Sequence, residues 1–89
     1  MEAALAKNKR NAYLWYDLGN IHLQMKDYPR AIDDYTMAVK YDSNLAEAYY
    51  NRALTLLFLR KNDLAKKDLS KAGELGVKEA YVVMKRFTE

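Results

Sequence analysis

Few residues of this chain could do chemistry. There is one histidine, His22, and no cysteine among 89 residues. Disulfides, thiolate nucleophiles and cysteine- or histidine-rich zinc sites are therefore excluded. A single histidine on a helix, with no second base, acid or ligand beside it, reads as a packing residue with a hydrogen-bond partner. The neighbouring carboxylates Asp33 and Asp34 are expected to face outward into solvent. Lys61, Lys66, Lys67 and Lys71 form a basic stretch, too sparse for the stripe that nucleic-acid binding needs. There is no glycine-rich phosphate loop and no GxSxG elbow. No nucleophile–base pair can be assembled, so neither catalysis nor a bound metal or cofactor is expected. The remaining signal is aromatic and amide: eight tyrosines and Trp15, with Asn20 and Asn51 between them. Such side chains suit recognition, because tyrosine offers area, a polar tip and little entropy to lose.

The elements that must position these residues are helices. One proline and three glycines are too few for a turn-rich β fold, while 51% hydrophobic and 30% charged residues are ordinary for a folded domain. A chain of this length can form one small domain but no deep core. Residues 1–45 hold six basic and six acidic side chains, and residues 46–89 hold nine and six, so the whole excess of +3 lies in the second half. No apolar run approaches the roughly 18–20 residues of a membrane span. The N-terminus has no signal-peptide core. These features favour a soluble, cytoplasmic protein with no membrane partner.

The sequence repeats every 34 residues. Ala12 falls on Ala46 and Ala80, Trp15 on Tyr49, Tyr16 on Tyr50, and Gly19 on Ala53. Ala31 falls on Ala65, Asp34 on Asp68, Thr36 on Ser70, and Ala38 on Ala72. One period before Ala38 lies Ala4. The chain therefore divides into the tail of one unit (1–11), a full unit (12–45), a second full unit (46–79), and an opening or capping helix (80–89).

Each full unit divides again into two amphipathic helices. Trp15, Leu18, Gly19 and His22 have i, i+3, i+4, i+7 spacing and share one face. Asp27-Tyr28-Pro29 breaks the pattern, and proline is tolerated at a helix start. Ala31, Ile32, Tyr35, Ala38 and Val39 line the second helix, and Asp42-Ser43-Asn44 supplies the next break and an N-cap. The second unit repeats this with Tyr49, Ala53 and Leu56, a Lys61-Asn62-Asp63 turn, then Leu64, Ala65, Leu69 and Ala72. Gly76 suits a left-handed C-cap. A last helix is predicted from Lys78 to Phe87. Small residues at 19, 31, 53 and 65 let paired helices approach closely, and neighbouring hairpins must stack to cover their apolar faces.

These residues resemble the tetratricopeptide repeat (TPR). The family pattern is carried by Trp15, Leu18, Gly19, His22, Ala31, Tyr35 and Ala38, with Ser43 at its proline position. In the second unit it is carried by Tyr49, Arg52, Ala53, Leu56, Ala65, Leu69 and Ala72. Arg52 departs from the pattern's leucine and Val77 from its proline. The resemblance implies an all-α fold of about five helices, a right-handed superhelical stack of antiparallel hairpins. It also implies a concave groove, lined by the first helix of each hairpin, that binds a peptide or a partner's tail.

Helical rotation of roughly 100° per residue places the groove candidates on a stripe away from the packing face. They are Tyr13, Tyr16, Asn20 and Leu23, then Tyr50, Asn51 and Leu54, then Tyr81, Met84 and Lys85. Leu57 and Phe58 adjoin them and could instead pack beneath the last helix. Asn20, Asn51 and Lys85 also fit the carboxylate clamp of co-chaperone TPR domains, but Tyr16 and Tyr81 replace its two lysines. A groove that recognises side chains is therefore favoured over one that grips a charged terminus. The competing reading is a structural solenoid segment that self-associates weakly through its open ends.

Overall fold

A computed structural model describes residues 2–88, with side chains from residue 9 to residue 87. Five helices follow one another: α1 (Glu2–Gln24), α2 (Tyr28–Tyr41), α3 (Ala46–Phe58), α4 (Asn62–Glu74) and α5 (Glu79–Thr88). Among the described residues there is no strand. Contacts run along the chain: α1 on α2, α2 on α3, α3 on α4, α4 on α5, with α1 lightly against α3. This is an all-α stack of two helical hairpins followed by one helix.

The turns obey the same period as the core. Lys26 and Arg60, 34 residues apart, both adopt a left-handed backbone, with φ of 61° and 60°. Each ends the first helix of its hairpin. Gly76 reverses the chain after α4 at φ 114°, the conformation that glycine adopts without cost. Pro29 sits in the first turn of α2, where its missing N–H is not needed.

Alanine dominates both cores. The first gathers Ala12, Ala31, Tyr35, Ala38, Leu45 and Ala48, with Trp15 packed against it. The second gathers Ala53, Leu56, Ala65, Leu69, Ala72 and Ala80. The closest approach is at Gly19, where an added Cβ would lie 2.6 Å from the Tyr35 ring. One period on, the pair is Ala53 and Leu69, both fully buried. The small-plus-large pairing is kept while its volume is divided differently.

The structure departs from the sequence reading at several points. α1 runs without a break from Glu2 to Gln24, so residues 2–11 continue into the first full unit with no intervening turn. Leu18, expected on the packing face, is 37% exposed. Asp34, expected to face solvent, is buried, because it carries the partner of His22. Leu45 caps α3, and no side chain closes its N-terminus. The Asp42 carboxylate instead accepts the Asn44 N–H at 3.0 Å, forming a local turn.

Candidate functional site

The helices bring four polar side chains to one point. Tyr16 and Asn20 come from α1, one turn apart on one face. Asn51 comes from α3, and Tyr35 reaches across from α2. The Asn51 amide Nδ2 donates to the Tyr16 hydroxyl at 3.2 Å and to Asn20 Oδ1 at 3.0 Å. Asn20 Oδ1 also accepts the Tyr35 hydroxyl. The Tyr16 and Tyr35 rings lie 5.9 Å apart and tilted, a favourable aromatic contact. Tyr35 is fully buried, and burial pushes its phenol up to about 12.

Sequence reasoning placed Tyr16, Asn20 and Asn51 on the groove stripe but assigned Tyr35 only to packing. The signal for Tyr35 was its place opposite Gly19. With no side chain at 19, a tyrosine there lies flat against α1 and extends its hydroxyl past it to Asn20.

The other candidates spread along the same helices. Tyr13 is half exposed, whereas Leu23 is partly buried against the first core. Tyr50 and Met84 pack against the second core. Leu54 lines a pocket between α3 and α5 together with Leu57 and Phe58. Phe58 is 62% exposed and stacks on Tyr28 at 5.3 Å between ring centroids, so its ring is held by α2. Tyr81 lies against α4: its ring occupies the space above Gly73, 2.5 Å from where a Cβ would sit. Lys85 is exposed near the end of α5.

One side-chain hydrogen bond and one ion pair tie the hairpins. His22 Nδ1 donates to Asp34 Oδ2 at 2.5 Å within the first. In the second, Arg52 grips Asp68 through two bonds of 2.7 Å, from Nε and Nη2. Arg52 Nη1 also donates to Thr36 Oγ1 of α2 at 3.2 Å, and the guanidinium stands 5.6 Å from the Tyr49 ring centroid. The bond to Asp68 raises the Arg52 pKa most, and the Asp68 charge and Tyr49 add to it. The residue that departs from the leucine of the repeat pattern thus joins α2, α3 and α4. Among the described residues, no cluster of three or more His, Cys, Asp or Glu could hold a metal ion.

The tetratricopeptide repeat pattern matches residues 12–45 and again residues 46–75. The chain belongs to the tetratricopeptide repeat family. Among solved structures it is similar to the first TPR of Spaghetti (RPAP3) bound to the HSP90 peptide SRMEEVD, with 28% identity and a TM-score of 0.79 over 82% of this chain and 60% of that one. It is also similar to the Arabidopsis OM64 TPR domain, with 29% identity and a TM-score of 0.83 over 86% of this chain and 65% of that one. The chain thus spans less than two thirds of either structure. Among curated proteins no sequence matches it. Among the described residues no helix of this TPR chain is long and apolar enough to cross a membrane.

Proposed function

We propose that this TPR chain is a protein-interaction module that holds an extended partner segment in a groove along α1, α3 and α5. The observation that carries the reading is the cross-hairpin network of Tyr16, Asn20 and Asn51. Half-buried amides bonded between two hairpins form a preorganised polar patch, and Tyr13, half exposed, lies one turn before Tyr16 on α1. Binding by a TPR neighbour of the peptide SRMEEVD supports the class of ligand.

The network also bears on how the segment is recognised. The Asn51 amide donates inward to Tyr16 and Asn20. A carboxylate clamp needs its donors free, and its strongest contacts come from the charged ones. Asn20 Nδ2 and Asn51 Oδ1, a donor and an acceptor that take no part in these bonds, match a neutral peptide group better than a carboxylate. The groove accordingly reads an internal stretch of a partner by side chains and backbone.

A selection from a random heptapeptide library with blocked C-termini tests this. The wild-type chain should enrich a defined set of sequences. The double variant Tyr16→Ala/Tyr50→Ala should lose that enrichment while keeping its helical circular dichroism. Undiminished enrichment by the variant would remove the groove reading. The structural reading of the chain as a solenoid segment predicts no enrichment by either protein.

A further inference from the structure

The basic stretch on α4 takes no part in the groove, and the repeat shows that it is particular to the second hairpin. Shifted by one period, Lys66, Lys67 and Lys71 of α4 match Ile32, Asp33 and Met37 of α2. An acid has become a base at one position, and two further cations have been added. All three lysines are exposed, and among the described residues none makes an ion pair. Lys67 and Lys71 stand one turn apart on one face.

Lys67 also lines a pocket of ≈ 290 Å³ where the three consecutive helices α2, α3 and α4 meet. Its apolar walls are Ile32, Leu56 and Leu64, one from each helix. Arg52 lines it as well, bonded to Asp68 and Thr36. Those contacts use three of the five N–H groups of a guanidinium and leave one on each terminal nitrogen. The lining therefore sets two cations against one anion, beside an apolar surface. On α3, Arg52 and Leu56 lie about half a turn away from Tyr50, Asn51 and Leu54, so the pocket is on the face opposite the groove.

We propose that this outer face docks an acidic segment of a partner protein, with one glutamate side chain seated in the pocket. Its methylenes lie against Ile32, Leu56 and Leu64, and its carboxylate meets Lys67 and the spare Arg52 donors in charge-assisted bonds. A leucine would leave both cations unmatched, and the shorter stem of an aspartate would cover less of the apolar wall. A second glutamate meets Lys71. The rise from Lys67 to Lys71 is about 6 Å, and two residues of an extended segment span about 6.6 Å, so the matching motif is Glu-X-Glu. The inference is independent of the groove reading, since the two sets of residues have no member in common.

The test is a titration of the ¹⁵N-labelled chain with the peptide acetyl-Gly-Ala-Glu-Ala-Glu-Ala-Gly-amide, followed by amide chemical shifts. The expected result is saturable shifts centred on Ile32, Thr36, Leu56, Lys67 and Lys71. A peptide with glutamine in place of both glutamates keeps the shape and loses the charge, and it should bind about tenfold more weakly. Lys67→Asp copies Asp33 of the first hairpin onto an exposed position, and it should weaken binding to a similar degree with helicity unchanged. Equal binding of the glutamine peptide, full binding by Lys67→Asp, or no shifts at all would overturn the inference. Shifts confined to Tyr16, Asn20 and Asn51 would also overturn it and would seat the peptide in the groove. So would tighter binding of a thymidine hexanucleotide at the same residues, which would make a nucleic acid the occupant.

Discussion

The two hairpins solve one electrostatic problem in two ways. Each carries an aspartate at the same repeat position, Asp34 and Asp68, buried in its second helix. In the first hairpin the partner is His22, and in the second it is Arg52. Shifted by one period, these partners stand at different positions, one helical turn apart: Leu18 matches Arg52, and Leu56 matches His22. The repeat keeps the acid fixed and lets its donor come from either turn. Arg52 needs a third element to complete its bonds and finds Thr36 of α2. Leu18, at the matching position of α1, is 37% exposed.

The largest expected effect tests this exchange. Arg52→Leu copies the first hairpin's residue into the second and leaves Asp68 buried without a partner. A loss of about 3 kcal/mol is expected from urea unfolding. His22→Leu should cost less, about 1–2 kcal/mol, because one hydrogen bond is lost rather than three. The double variant Arg52→Leu/Leu56→His moves the whole first-hairpin arrangement into the second, and it should recover a large part of the loss. Failure to recover any stability would mean that the two arrangements are not interchangeable.

A second comparison sets two glycines against each other. An added methyl meets a tyrosine ring at both Gly19 and Gly73. Tyr35 is fully buried and cannot yield, whereas Tyr81 is 48% exposed and can swing away. Gly19→Ala should therefore cost about 2 kcal/mol, and Gly73→Ala less than about 1 kcal/mol, in the same unfolding measurement. Equal costs would contradict the packing described for Tyr35.

Tyr35 also separates the hairpins by pH. Its phenol is pushed up to about 12 by burial, while the matching residue of the second hairpin, Leu69, does not titrate. Folding favours the neutral phenol, so its contribution is complete below pH 10 and is lost as pH rises toward 12. The wild type should lose about 2 kcal/mol more than Tyr35→Phe across that interval, read from thermal or urea unfolding at each pH. The smallest effect expected is at the turns. Lys26→Gly and Arg60→Gly relieve matching left-handed conformations and should each stabilise the chain by about 0.5–1 kcal/mol.

Much of this was legible in the sequence because the fold is periodic. Alanines recurring at one spacing located both cores, and Gly76 marked its turn. What escaped was the pairing between helices. Asp34 looked solvated because its own helix gives no sign that His22, twelve residues earlier, arrives beside it. Arg52 looked like a departure from the repeat because its value lies in Asp68 and Thr36, on two other helices. Tyr35 escaped the groove set for the same reason. One helix's periodicity shows which face is covered, but not which atom of a neighbour meets it.

The groove gives the central claim its most direct measurement. A heptapeptide enriched by the wild-type chain is synthesised with a free and with an amidated C-terminus, and both affinities are measured by fluorescence anisotropy. With Asn51 donating inward to Tyr16 and Asn20, the two forms are expected to bind within a factor of about two of each other. A free acid bound more than about tenfold tighter would show that the groove grips a terminal carboxylate, and would contradict the reading of a neutral, segment-binding site.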